Sequence, residues 1–194
     1  MENGNKEVVV YCASSAEIDQ IYFAAASRLG VLLAENGITC INGAGKQGLM
    51  GALNDAVLEH GGRVKGIIPR FMVDAGWGHD LLTEIIITET IHERKAAMAK
   101  SADAAIALPG GVGTLEELAE IITWKQLGLY QKPIIILNTD NYYESLLLFL
   151  EKMIQEKFMK EVYRDLWLVA STPEEAVELI RTASDWKIDH SKYD

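Results

Sequence analysis

Short apolar runs alternate along this chain with longer stretches whose apolar residues recur every three or four positions. The runs "EVVVYCAS" (7–14), "GITCING" (37–43), "RVKGIIP" (63–69), "DAAIALP" (103–109), "KPIIILN" (132–138) and "LWLVAS" (166–171) are nearly continuous in hydrophobic residues. Strands read this way when both faces of a parallel sheet are covered. "EIIITE" (84–89) is a further, shorter strand candidate suited to an edge. Helical periodicity fills the intervals at about 17–36, 48–60, 91–101, 114–127, 142–157 and 173–183. The alternation predicts an α/β fold: a single-domain, Rossmann-like doubly wound parallel sheet with helices on both faces. One domain is expected over residues 1–184, followed by a polar tail at 185–194 that frays. The stretch "PRFMVDAGWGHDLLT" (69–83) has no clear period and reads as an ordered loop or lid. Ligands of such sheets bind beyond the carboxyl ends of the strands, so the strand-to-helix loops are where chemistry should lie.

Composition narrows the possible partners. Of 194 residues, 49% are hydrophobic and 24% charged, as in an ordinary globular protein. The net charge of −10 argues against nucleic acid or an anionic membrane as partner, while leaving room for a local cationic pocket. Cys12 and Cys40 sit inside apolar runs and read as free buried thiols rather than a disulfide, which fits a reducing cytoplasm. The start "MENGNKEVVV" contains no signal-peptide core, and no apolar run approaches the ~18 residues of a membrane span, so a cytoplasmic protein is expected. His60, His79, His92 and His190 show no ligand spacing, and no G-x-S-x-G elbow occurs. Neither a metal nor a cofactor is expected.

Two glycine loops carry the candidate chemistry. "LPGGVGTLEELAE" (108–120) follows one strand and opens a helix, and "NGAGKQGLMG" (42–51) does the same after another. Such loops bring free backbone N–H groups to the positive end of a helix dipole, where an anion binds. For the first loop a plainer reading stands beside this one, with the glycines making a tight turn and Thr114 and Glu117 forming a capping box. The second loop has the Gly43-x-Gly45-x-x-Gly48 spacing of a dinucleotide fingerprint. It follows the second strand, however, and lacks the acid expected about twenty residues on. Nor is it a Walker A loop, because Gln47 follows Lys46. A phosphorylated small molecule suits both loops together.

The flanking helices add polar groups on apolar stripes. On the helix at 114–127, Leu115, Leu118, Ala119 and Ile122 should face the sheet. Glu117, Ile121 and Trp124 form a second stripe nearly opposite, which needs cover from another layer or subunit. Glu117 thereby becomes a partly buried carboxyl fit for acid–base work, while Glu116 and Glu120 fall on a solvated flank. In "IHERKAAMAKS" (91–101), Arg94 and Lys95 share a stripe with Ile91 and Met98. The two cations either snorkel or meet an anion, and the neighbouring glycine loops favour the anion. Ser14 and Ser15 close the first strand and serve either as ligand donors or in a simple turn.

The segment "ERKAAMAKSADAAIALPGGVGTLEELAEIITWKQLG" (93–128) resembles the LONELY GUY family of cytokinin riboside 5′-monophosphate phosphoribohydrolases. Its signature, an Arg-Lys pair followed by PGGxGTxxE, is matched by Arg94-Lys95 and by Pro109 to Glu117. The likeness spans about residues 8 to 160, with Gly43-Ala44-Gly45 where the family often has three glycines. It implies hydrolysis of the N-glycosidic bond of a purine nucleoside 5′-monophosphate, with adenine or a cytokinin-type base, to free base and ribose 5-phosphate. Arg94 and Glu117 would be catalytic. Lys95, Met98, Gly110, Gly111, Val112, Gly113, Thr114, Gly43, Gly45 and Ser14 would bind substrate. A homodimer with sites near its interface is implied as well. Some members place a glutamate in the segment matching 69–83, where this chain offers Asp74, His79 and Asp80. The label "lysine decarboxylase" often given to this group would require a pyridoxal-phosphate lysine and a larger scaffold. Molybdenum-cofactor carrier proteins share the fold and glycine loops and represent a non-catalytic alternative. A nicotinamide oxidoreductase lacks its ribose-binding acid here.

Overall fold

The computed structural model describes residues 6–186. Seven parallel strands form one sheet in the order β4-β3-β2-β1-β5-β6-β7. The strands are β1 (Glu7–Tyr11), β2 (Thr39–Asn42), β3 (Val64–Pro69), β4 (Glu84–Thr88), β5 (Ala104–Ala107), β6 (Ile134–Leu137) and β7 (Leu168–Ala170). The helices are α1 (Gln20–Glu35), α2 (Gly48–Glu59), α3 (Arg70–Asp74), α4 (Ile91–Ser101), α5 (Val112–Gln126), α6 (Glu144–Gln155) and α7 (Pro173–Thr182). Every strand expected from an apolar run is present, and "EIIITE" forms the edge strand β4.

Alternation along the central strands divides the core in two. Val8 and Val10 point with Cys40, Ile106 and Ile135 toward α1, α2 and α7. Val9 and Tyr11 point with Ile41, Ala105 and Ile134 toward α4 and α5. Successive residues of a strand face opposite sides, so near-continuous hydrophobicity is what a sheet covered on both faces requires. The strand order reverses between β1 and β5, whose ends lead into the loops at 12–19 and 108–111. In open α/β sheets this reversal leaves a crevice at the carboxyl edge.

Four expectations are revised. The 69–83 stretch holds a short helix, α3, before it crosses the carboxyl edge as a strap. On α5 the buried face is shifted: Leu118 and Ile122 face the sheet as expected, Ile121 is buried beside them, and Leu115 and Ala119 face outward with Val112. Ile121 is therefore covered by its own chain. The N-cap of α5 is Gly111, with Thr114 inside the first turn, so no capping box forms. The tail begins anchored, with Asp185 paired to Lys132 at 2.9 Å and the Trp186 N–H donating to the Gln131 carbonyl at 2.6 Å. Residues 187–194 of that tail lie outside the described residues.

Candidate active site

Three loops meet over the β1–β5 reversal and enclose a cavity of about 510 Å³, within the usual ~300–1,000 Å³ of small-molecule sites. The loop after β1 contributes Cys12 to Ser15, the loop after β2 contributes Gly43, Gly45, Lys46 and Gln47, and the loop after β5 contributes Gly111, Gly113 and Thr114. Two of these loops open α2 and α5, and neither helix has a side-chain cap. By contrast, α1, α4 and α7 are capped by Asp19, Thr90 and Thr172. In the first turn of α2 the Met50 N–H already donates to the Ala13 carbonyl at 3.2 Å, so it is chiefly α5 whose first N–H groups, with the dipole, favour an anion.

Side chains behind the loops hold them in shape. The Tyr143 hydroxyl donates to the Leu108 carbonyl at 2.6 Å and the Tyr142 hydroxyl to the Gly110 carbonyl at 2.7 Å, fixing the approach to α5 from the β6–α6 connection. In the β2 loop, Ala44 takes a positive φ of 61°. Its N–H donates to Asn42 Oδ1 at 2.9 Å, Asn42 Nδ2 donates to Asn54 Oδ1 at 2.6 Å, and Asn54 Nδ2 donates to the Gly45 carbonyl at 3.1 Å. Asn42 and Asn54 are fully buried. A satisfied polar network of this kind makes a strained loop rigid.

Arg94 on α4 and Glu117 on α5 meet in the cavity, Arg94 Nη2 lying 3.6 Å from Glu117 Oε1. That is ion-pair range and too long for a hydrogen bond. Both side chains are largely buried, 12% and 14% exposed, and Arg94 Nε has no hydrogen-bond partner. Gly43 makes this possible, because a Cβ there would lie 1.8 Å from Arg94 Nη2. Burial pushes the Glu117 carboxyl up to about 7, against the opposing pull of Arg94. Burial likewise holds the Cys12 thiol well above its ordinary range, so the cavity sees a neutral thiol. Apolar side chains of Met50, Ile68, Met72 and Trp77 complete the wall.

The structure brings Arg94, Glu117, Gly43, Gly45, Ser14, Gly111, Gly113 and Thr114 into this cavity and leaves four expected residues out of it. Lys95 turns to the other side of α4, where it is buried and bound to Glu116 and, at 3.0 Å, to Glu120. The flank expected to be solvated is thus an ion-pair cluster, and Lys95 offers no free charge to a ligand. Met98 is packed in the core beneath the sheet. Gly110 lies against Thr114, and the Val112 side chain points into solvent. Among the polar candidates of 69–83, Asp74 and Asp80 are exposed and outside the cavity, and His79, in the strap itself, is buried and does not line the cavity. Met72 and Trp77 were not anticipated, and their only sequence signal is position in an aperiodic segment that the fold bends over the carboxyl edge. Lys46 enters with the 42–51 glycine loop, though it was not singled out as a site residue.

Fold and site together define a doubly wound α/β protein with an anion-friendly cleft and a buried Arg–Glu pair at its topological switch point. A family model described as "Possible lysine decarboxylase" matches residues 50–180. Over 192 residues the chain is 41% identical to cytokinin riboside 5′-monophosphate phosphoribohydrolase LOG1 of Arabidopsis thaliana, covering 99% of this chain and 89% of the relative. LOG7 of the same plant is 43% identical over 183 residues, covering 94% and 82%. The chain belongs to this LONELY GUY family. The molybdenum cofactor binding protein of Rippkaea orientalis shares its fold, with a TM-score of 0.71 at 24% identity over 93% of this chain and 98% of that one.

Proposed function

We propose that the protein hydrolyses the N-glycosidic bond of adenine-type nucleoside 5′-monophosphates, with or without an N6 substituent, releasing free base and ribose 5-phosphate. The observation that carries this reading is Glu117, a buried carboxyl titrating near 7 beside Arg94 in a cleft lined with helix N-termini. In the proposed reaction the phosphate sits on the N–H groups at 111–114 and the base lies against Met72 and Trp77. As the C1′–N bond breaks, its electron pair leaves with the base and positive charge builds on the ribose. The Glu117 carboxylate stabilises that charge and takes a proton from the attacking water, whose oxygen bonds C1′, and that proton passes on to the departing base. Arg94, with Nε unpartnered in the protein, orients Glu117 and the ribose hydroxyls.

We propose further that the working form is a homodimer in the cytoplasm. Its support is the outward apolar stripe of α5, Val112, Leu115 and Leu127, together with the free buried thiols Cys12 and Cys40. Among the described residues, no helix is long and apolar enough to cross a membrane.

The decisive experiment incubates the protein with AMP, GMP, CMP, isopentenyladenosine monophosphate and adenosine, and chromatographs the bases released. Free adenine or N6-substituted adenine is expected from the monophosphates. Charge-assisted hydrogen bonds to the phosphate contribute roughly 1.5–3 kcal/mol each, so two of them separate AMP from adenosine by at least ~10²-fold. Adenosine cleaved within about tenfold of AMP would sink the reading. Release of no base would leave a carrier.

A further inference from the structure

The geometry points to a positioning residue outside the cleft: His79, whose ring with Asp55 latches the strap at 76–81 onto α2 and so holds it in register with the β2 loop that forms the cleft wall. This rests on the nucleotide-hydrolase reading above. His79 is 8% exposed and does not line the cavity, so it is not a group that touches substrate. Its ring is nonetheless fully engaged. Nε2 lies 2.9 Å from Asp55 Oδ1 on α2, and Nδ1 accepts the Leu81 N–H at 3.2 Å. The second bond requires Nδ1 unprotonated, so Nε2 carries the proton and donates to Asp55.

Backbone bonds extend the latch to the catalytic side. The His79 N–H donates to the Ala44 carbonyl at 2.8 Å, the Lys46 N–H donates to the Trp77 carbonyl at 3.2 Å, and Gly45 and Gly78 form an antiparallel bridge. The strap and the β2 loop are therefore clamped as two short strands. Arg94 touches the β2 loop and the helix that leads into the strap: its guanidinium fills the space left by Gly43, and its Nη1 is 3.9 Å from Sδ of Met72 on α3. The clamp thus fixes Trp77 and Met72 on one side and the loop facing Arg94 on the other. The near end of the strap is held by the Trp77 N–H bond to the Met72 carbonyl at 3.1 Å, and the far end by Leu82 against the core and the Val64 N–H bond to Thr83 Oγ1 at 3.1 Å, so the latch is the tie at its middle. Beyond the five residues of α3 the strap has no regular structure before β4, and Phe71, Trp77 and Leu81 are all substantially exposed.

Removing the latch should lower the fraction of molecules with the strap closed, and apparent affinity falls in proportion to that fraction. Once substrate has closed the strap, Arg94 and Glu117 are in place and turnover is preserved. For Asp55→Ala and His79→Ala we expect KM for AMP to rise about tenfold or more, with kcat within about threefold. Amide hydrogen exchange should accelerate at 44–46 and 77–81 and nowhere else. Asp55→Asn, which keeps an oxygen acceptor for Nε2, should restore KM and exchange to near wild type. Asp55 is 60% exposed and lies on a helix that tolerates alanine, so its variant decides the matter even if His79→Ala fails to fold. Unchanged KM and unchanged strap exchange in Asp55→Ala would overturn the proposal. So would a loss of kcat equal to the rise in KM. Should the wild type release no base from any monophosphate, the hydrolase reading falls on its own. Strap exchange in Asp55→Ala against Asp55→Asn still tests the latch.

Discussion

At the scale of single residues, the chemistry of Glu117 follows from its seat in the first turns of α5, where burial lifts its pKa to about 7. A carboxyl near 7 is ionised enough to take a proton from water and protonated enough to return one. The rate constant kcat/KM for AMP should therefore climb about tenfold per pH unit below 7 and level off above it. Glu117→Gln should keep the fold and lose ~10²–10⁴-fold in rate. Stability carries the same signature. A carboxyl raised from 4.5 holds its proton in the folded chain after the unfolded chain has released it. Its stabilising contribution is complete at low pH and is lost as pH rises from about 4.5 through 7. Glutamine does not titrate, so the variant should gain roughly 2–3 kcal/mol relative to wild type between pH 5 and 8. Urea unfolding at a series of pH values measures this, and a flat difference would mean that Glu117 titrates like an exposed carboxylate.

At the scale of elements, α4 and α5 face each other through two cations, Arg94 and Lys95, whose ion pairs have different tasks. Arg94 and Glu117 meet in the cleft, while Lys95 meets Glu116 and Glu120 behind it. The Lys95 ion pairs tie the helices together and leave substrate alone. Lys95→Ala should destabilise the protein by roughly 1–3 kcal/mol, since Glu116 and Glu120 keep enough solvent contact to hydrate once unpaired. KM for AMP should stay within about twofold. A tenfold rise in KM would show that Lys95 swings into the cleft. Adjacent positions on one helix point about 100° apart, which is why Arg94 and Lys95 part company although the sequence pairs them. Periodicity alone marks two apolar stripes on α5 and does not say which one the sheet covers. Ile121 belongs to the buried one because the second core cluster beneath the sheet closes over it.

At the scale of the whole molecule, an uncovered apolar stripe runs along the outward face of the helix that carries Glu117, from Val112 and Leu115 to Leu127 at its C-cap. The dimer we propose would bury it, and self-complementary two-fold contacts are the commonest way to do so. Light scattering at micromolar concentration should give about twice the 21.4 kDa of the chain, and Leu115→Glu should halve that mass without unfolding the protein. A wild-type mass of 21.4 kDa would refute the dimer.

The strand runs, their parallel pairing, the edge position of β4 and the two glycine loops were legible in the sequence, because each depends on local periodicity or on a short motif. Arg94, Glu117 and most of the loop residues were legible for the same reason. Which residues cross to the cleft from distant segments was not. Asn42 with Asn54, Tyr142 and Tyr143 behind the α5 loop, and Met72 and Trp77 in the strap have no period or spacing that marks them. His79 was one of three polar candidates in 69–83 and became a latch because its ring meets Asp55 and the Leu81 N–H while its backbone N–H meets the Ala44 carbonyl. Lys95 looked like a partner for an anion and became an internal ion pair. A sequence determines what a side chain is able to do. Burial and partners, set by contacts between residues far apart in the chain, decide what it does. Here those contacts form only where β1 and β5 diverge and the strap folds back over the β2 loop.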